Sequence, residues 1–207
     1  MEADDINFAK DKPIVLFTSF WDADYLVKQE YFPIKTNEET KLVWLDNYSI
    51  HSIALMTPEK LKNINSLEIP VPRIDFLCPT YKILMAEKAN KDWEKYTTEY
   101  KALLSSRKDE VINWIDNLEA GHLYILCCWE ATGVSAHCHR EILYENLTKS
   151  KSLRDKAYYI YRHGRKGLDA SADDIVIEPD ILKVDNGSGD TDKMINKMLN
   201  NINEAPF

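Results

Sequence analysis

At 207 residues, 44% hydrophobic and 29% charged, the chain has the make-up of one globular domain with a sizeable core. The net charge of −8 argues against wholesale coating of DNA, although a local basic patch can still bind phosphate. No apolar run approaches the roughly 18 residues of a membrane-spanning helix, and the polar, acidic start (MEADDINFAKDK) does not read as a signal peptide.

Residues 1–12 read as a loose leader. Residues 13–20 (PIVLFTSF) predict the first strand. It ends in Thr18 and Ser19, where an open α/β sheet places its ligands. The same hydroxyls equally suit capping of a turn or helix over 22–29. Residues 41–45 (KLVWL) predict a strand, and 52–56 (SIALM) a further one. Thr57-Pro58-Glu59 is a helix start, with an N-cap, a proline at the first position and an acid, and the helix is expected to reach about residue 64. Pro70 and Pro72 each remove a ladder donor, so 68–74 (EIPVPRI) is expected to be an edge or extended segment that carries Arg73.

Residues 79–89 and 92–105 predict helices. The second sets Trp93, Tyr96, Tyr100 and Leu103 on one face at helical spacing, an aromatic stripe that suits a core better than ligand stacking. Residues 108–118 predict another helix, with Gly121 just past its end, where a glycine commonly stops a helix.

The stretch that organises the chain is 122–149 (HLYILCCWEATGVSAHCHREILYENLTK). Its apolar run from Leu123 to Trp129 predicts a strand buried on both faces. A loop of small residues, 131–136, leads to a helix beginning near Ser135 with Cys138, Ile142, Leu143 and Leu147 on its apolar stripe. The whole pattern predicts an α/β fold: a single domain over 13–168, with a mostly parallel sheet flanked by helices in a Rossmann-like three-layer arrangement. An insertion is expected at about 22–66 and an acidic extension at 169–207.

Residues 149–166 carry seven Lys/Arg and one acid, interleaved with Tyr158, Tyr159 and Tyr161. Such a stretch can track a phosphate backbone and stack bases, or it can be a solvated helix whose tyrosines pack inward, which is favoured. Beyond it, 175–177 is a candidate strand, 185–192 (DNGSGDTD) a linker by composition, and 192–202 a short helix.

The four cysteines, Cys78, Cys127, Cys128 and Cys138, lack disulfide-framework spacing, so reduced thiols and a cytoplasmic location are expected. Cys138, His139 and Arg140 would sit at a helix N-terminus, which favours an anion and should lower a thiol pKa. Three chemical readings follow. In the first, Cys138 is a nucleophile and His139 or Glu130 handles the proton. The second is a metal held by Cys127 or Cys128 with His137, Cys138 and His139. It lacks a Cys-x-x-Cys pair and draws ligands from a buried strand, so no metal and no cofactor are expected. In the third, Arg140, Glu130 and the helix end hold a polar ligand. Against all three stands the plain reading of the cysteines as small buried hydrophobes.

Leu126-Cys127-Cys128-Trp129-Glu130, followed by Cys138-His139-Arg140, resembles the signature of the domain-of-unknown-function 488 family: Leu-Cys-x-Glu, a short loop, then Cys-His-Arg opening a helix. Leu77-Cys78-Pro79-Thr80, the Trp93, Tyr96 and Tyr100 helix and the strand ending in Thr18-Ser19 are also similar. The resemblance covers about residues 13 to 150. It departs in a slightly long loop before Cys138 and in 151–207, which have no counterpart. It implies a site of Cys128, Glu130, Cys138, His139 and Arg140, joined by Thr18, Ser19 and Arg73, and brings no activity with it.

Two functions follow from these residues. One is an enzyme acting on a nucleotide, nucleoside or nucleic-acid base, with Glu130, Cys138 and His139 as the reactive set. Arg140 then anchors a phosphate or carboxylate, helped by Cys128, Thr18, Ser19 and Arg73. The other is a non-catalytic binding or regulatory module in which Arg140 pairs internally with Glu130. The partner in either case is a small polar or anionic ligand, with nucleic acid an option through 149–166.

Overall fold

The computed structural model describes residues 11–29, 31–35, 40–56, 67, 70–130 and 137–161. In chain order the elements are β1 (Ile14–Ser19), α1 (Phe20–Leu26), β2 (Tyr31–Lys35), β3 (Thr40–Trp44), β4 (Tyr48–Ser52), a 3₁₀ turn (Asp75–Leu77), α2 (Tyr81–Asn90), α3 (Trp93–Ser106), α4 (Lys108–Asp116), β5 (Leu123–Cys128), α5 (His139–Lys149), α6 (Lys151–Arg154) and β6 (Tyr158–Tyr161). The expected leader up to residue 10, the helix from Thr57, the loop 131–136 and all features assigned beyond residue 161 lie outside the described residues.

Every side chain of β1 is buried, and so are five of six along β5. Strands this apolar need cover on both faces, which is the condition of an interior parallel pair. β1 and β5 meet that condition. They pair in parallel from Ile14 opposite Leu123 to Ser19 opposite Cys128, at the centre of a sheet ordered β4-β5-β1-β6. β4 joins β5 and β6 joins β1, again in parallel. The fold is therefore α/β, a four-stranded all-parallel sheet flanked by helices. β2 and β3 pair separately as an antiparallel ladder from Tyr31–Trp44 to Lys35–Thr40.

The flanking helices start where short polar side chains can take up their first amides. Ser19 caps α1 by accepting from the Asp22 N–H, Thr80 caps α2, and Asp92 caps α3. α1 lies on β1 and β5, and α5 on β1 and β6. Phe17 of β1 meets Tyr144 of α5 edge-to-face at 5.6 Å. None of the helices described is long and apolar enough to cross a membrane.

Four expectations are corrected. The strand expected at 52–56 ends at Ser52 and begins at Tyr48. Its sequence, YSIHS, is too polar to read as a strand, yet it lies at the sheet edge, where side chains stay partly exposed. A strand over Tyr31–Lys35 was not anticipated. The basic stretch from residue 149 is not one helix: α6 is a single short turn and Tyr158–Tyr161 is an edge strand. Gly121 does have the left-handed φ of 76°, but α4 stops at Asn117; the glycine turns the chain into β5 and donates its N–H to the Lys12 carbonyl.

The proline segment behaves as expected. Pro72 lends its carbonyl to the Ser52 N–H, and the Ile74 N–H returns to Ser52 O. A proline can accept along such an edge although it cannot donate.

Candidate functional site

Four parallel strands bring their carboxyl ends to one edge of the sheet, the usual ligand face of this architecture. β5 leaves the sheet there through Trp129 and Glu130, and the chain returns at Cys138, the N-cap of α5. Successive strand side chains point to opposite faces. Cys127 is accordingly sealed in the core, whereas Cys128 meets Glu130 and His139.

The Glu130 carboxylate oxygen Oε2 accepts from the Cys128 thiol at 2.9 Å and from the Cys138 thiol at 3.2 Å. The Cys128 sulfur lies 3.9 Å from His139 Nδ1 and 3.7 Å from Nε2. His139 Nε2 is 2.8 Å from the Ile53 carbonyl oxygen. A carbonyl can only accept, so Nε2 carries a proton, and in the neutral form of the ring the lone pair is on Nδ1. The ring is wedged against Tyr100, centroids 5.5 Å apart and nearly perpendicular. The ligand atoms of Cys128, Glu130, Cys138 and His139 all lie within 4.8 Å of one another, a donor set able to take a metal ion. It differs from the set weighed from sequence: Glu130 enters, and Cys127 and His137 drop out. His137 is exposed and stacks on Trp93, centroids 4.5 Å apart.

A cavity of about 230 Å³ reaches this cluster at Cys128, Glu130 and His139. Its other walls include Leu84, Lys88 and Trp129, with residues 54–56 along one side. That segment is an apolar run held outside any ladder by four side-chain donors. His139 serves the Ile53 carbonyl, Cys78 that of Ala54, Arg73 that of Leu55 and Trp129 Nε1 that of Met56. Four consecutive carbonyls satisfied in this way make a rim with a defined position.

Arg140 is 1% exposed. Its guanidinium donates to the Thr18 carbonyl at 2.5 Å, the Glu130 backbone carbonyl at 3.0 Å and the Tyr161 hydroxyl at 3.3 Å. It thus ties the ends of β1 and β5 to β6 from the first turn of α5. Tyr161 in turn donates to the Glu141 carboxylate at 3.4 Å. The internal link to Glu130 runs through its backbone carbonyl.

The remaining sequence candidates lie apart from the cluster. Ser19 caps α1 and donates its hydroxyl to Asp22 at 2.8 Å. Thr18 is fully buried, its Oγ1 without a hydrogen-bond partner among the described residues. Arg73 is exposed and paired with Asp75. Tyr159 and Tyr161 are buried in the sheet and offer no stacking face. Two site neighbours escaped the sequence reading, Tyr100 as the wall of His139 and Tyr161 as an Arg140 partner. The helical stripe signalled the first as core, and the inward packing favoured for the 149–166 tyrosines signalled the burial of the second but not its partner.

Burial dominates three of the thiols. It pushes Cys78 up to about 12, and it raises Cys127 and Cys138 as well. For Cys138 the hydrogen-bonded and charged influence of Cys128 adds to burial, while Arg140 and His139 pull the other way without prevailing. This overturns the lowered pKa expected of a cysteine at a helix start: the N-cap is inside the protein, where a thiolate loses its water. Glu130 goes down. Burial opposes ionisation, but the Cys128 thiol, its own backbone N–H, His139 and the Cys138 thiol together outweigh it. Arg140 goes up. Its own burial acts against the charge, and the neighbouring Cys138, Tyr161 and Cys128 more than offset it.

Iodoacetamide labelling of the native protein near neutral pH is therefore expected to leave Cys78, Cys127 and Cys138 unmodified, with all four cysteines labelled after unfolding. Peptide mass mapping reads this directly, and rapid native modification of Cys138 would contradict the burial account.

Fold and site together define the class: an α/β protein with a thiol–carboxylate–imidazole cluster at the carboxyl edge of a parallel sheet. Comparison of the chain with protein-family models, curated proteins and solved structures gave no match.

Proposed function

We propose that this protein is an enzyme whose acid–base group is Glu130 and whose substrate is a small ring compound, a nucleobase or nucleoside. The observation that carries the reading is the meeting of Glu130, Cys128 and His139 at the wall of one cavity, on the edge of the sheet where such folds bind ligands. The walls favour a flat, partly polar molecule: Trp129 and Leu84 are apolar, and Lys88 and Glu130 add polar groups. At about 230 Å³ the space lies below the roughly 300–1,000 Å³ that holds drug-sized ligands, which argues for one ring system over a dinucleotide. Arg140 supports the same narrowing. Three of its five N–H donors are directed to Thr18, Glu130 and Tyr161 and the side chain is 1% exposed, which argues against a phosphate anchor and favours a base or nucleoside over a nucleotide. The resemblance to the domain-of-unknown-function 488 family supports the same cluster as the site and adds no reaction.

A thermal-shift screen against nucleobases and nucleosides tests the reading. A ligand present at about 100 times its dissociation constant should stabilise by roughly 2.7 kcal/mol, a rise of several degrees for this size. Turnover of the compound that binds should fall roughly a hundredfold or more in Glu130→Gln, the loss of a general acid–base group. The absence of any shift, or unchanged turnover in Glu130→Gln, would defeat the proposal. The burial of Arg140 favours a second reading, a binding module without chemistry. It expects ligand stabilisation with no conversion of the ligand.

A further inference from the structure

The four side chains at the strand–helix junction make a donor set that the proposed chemistry alone does not explain. One carboxylate oxygen is shared by two thiols, and the His139 ring lies beside one of them, Cys128 Sγ, at 3.9 Å from Nδ1 and 3.7 Å from Nε2. We propose that Cys128 Sγ, Cys138 Sγ, His139 Nδ1 and the Glu130 carboxylate bind one zinc ion.

Three observations carry this. The first is spacing. Tetrahedral zinc, with bonds of about 2.3 Å to sulfur and about 2.0–2.2 Å to nitrogen or oxygen, sets its ligand atoms roughly 3.3–3.8 Å apart. Glu130 Oε2 lies 2.9 and 3.2 Å from the two sulfurs, and Cys128 Sγ 3.9 Å from His139 Nδ1; one ligand atom from each of the four residues lies within 4.8 Å of the others. Side-chain shifts of under about 1 Å bring them to zinc distances.

The second is the outer support. A metal-bound histidine usually donates its other ring N–H to a carbonyl or carboxylate, which fixes the ring and its tautomer. His139 does this before any metal enters: Nε2 is committed to the Ile53 carbonyl at 2.8 Å, and Tyr100 closes the ring's edge. The Ile53 carbonyl belongs to the rim that Cys78, Arg73 and Trp129 hold in place, so the orientation of Nδ1 is built into the fold.

The third is charge. Zinc with two thiolates and one carboxylate carries a single net negative charge. The permanently charged Arg140 is buried in the first turn of α5 next to Cys138, whose sulfur accepts from the Arg140 backbone N–H at 3.5 Å. The buried guanidinium thereby acquires the anionic partner that its carbonyl and phenol acceptors do not supply. Two sulfurs with one imidazole select zinc over magnesium, calcium or manganese, which prefer all-oxygen sites. The usual sequence sign of zinc is absent because the ligands pair across the loop, Cys-x-Glu from a strand end and Cys-His from a helix cap, with no Cys-x-x-Cys.

The site stands on ligand geometry and holds whether or not the cavity takes a ring compound. With four protein ligands the ion has no open position and would be structural; a Glu130 that ligates zinc is not free to move protons, so a loaded site would pass the acid–base step of the proposed enzyme to another group.

The test uses the full chain, purified under reducing conditions without chelator. Elemental analysis should find about one equivalent of zinc, and uptake by stripped protein should release about two thiol protons. Cobalt(II), the spectroscopic probe, should give the visible bands of a tetrahedral ion and a thiolate-to-cobalt charge-transfer band, both abolished by added zinc. Cys138→Ser and His139→Gln should weaken binding by at least about tenfold. The proposal is overturned if folded wild-type protein gives no thiolate–cobalt band, or if Cys138→Ser gives the wild-type spectrum. The wild-type spectrum decides the matter even where a variant fails to fold. A cobalt spectrum without any ligand shift would sink the nucleobase reading alone, and a ligand shift without the spectrum would sink the zinc site alone.

Discussion

Replacing Arg140 with alanine is expected to destabilise the protein by about 3–5 kcal/mol, the cost of deleting one partner of a buried charged network. The reason lies in what the guanidinium holds. Its three donors reach the Thr18 carbonyl at the end of β1, the Glu130 carbonyl beyond β5 and the Tyr161 hydroxyl on β6. Two of these acceptors lie on strands and the third just past the end of β5. Alanine takes the guanidinium donor from the Thr18 and Glu130 carbonyls and leaves a void where one of the largest fully buried side chains stood. Arg140→Lys keeps the charge, but a single ammonium does not reproduce a planar fork, so an intermediate loss is expected. Urea unfolding of the three proteins reads the order directly. An arginine acting as an external anion anchor would behave otherwise: its alanine variant would keep the wild-type midpoint and lose ligand. A loss below about 1 kcal/mol would therefore reject the structural role.

The same residue shows where sequence reading reaches and where it stops. Cys128, Glu130, Cys138 and His139 were legible because each sits at a position with a rule: a strand end, or the start of the following helix. Strand alternation separates Cys127 from Cys128, and the end of an apolar run marks the edge where ligands gather. What periodicity does not carry is the direction of a long side chain. Arg140 reads as a surface anion binder at a helix N-terminus; it points inward because unpaired carbonyls of two strand ends wait there. His139 follows Cys138 in sequence, yet it faces Cys128 across the loop and reaches the Ile53 carbonyl.

The strand errors have a related cause. SIALM is apolar enough for a strand, but side chains from four other segments take its carbonyls one by one, and that competition is invisible locally. Tyr158–Tyr161 follows a run of charges and reads as helix. It becomes a strand because β1 offers an open edge, a tertiary opportunity that overrides local preference. The expected lowering of the Cys138 pKa failed for the same kind of reason: position on a helix is local, and burial is not.

Tyr100→Ala is expected to cost about 3–5 kcal/mol, the range for emptying a buried aromatic position, and a melting temperature lower by on the order of 10 °C. Tyr100 is completely buried. Its ring lies near Tyr96, centroids 6.1 Å apart, and meets His139 edge-on, while its hydroxyl donates to the Leu77 carbonyl at 2.6 Å. α3 thus touches His139 through a residue that also anchors the 3₁₀ turn. Tyr100→Phe separates the two roles. The ring stays, so His139 keeps its wall, and only the hydrogen bond to Leu77 is lost, at about 1–2 kcal/mol. In Tyr100→Phe the proposed cobalt spectrum should be unchanged. In Tyr100→Ala, measured under conditions where it remains folded, the spectrum should weaken, because the imidazole is no longer held at its edge. Equal stability losses in the two variants would place the stabilising contribution in the hydroxyl instead of the ring. The helix would then act on the turn alone and have no part in orienting His139.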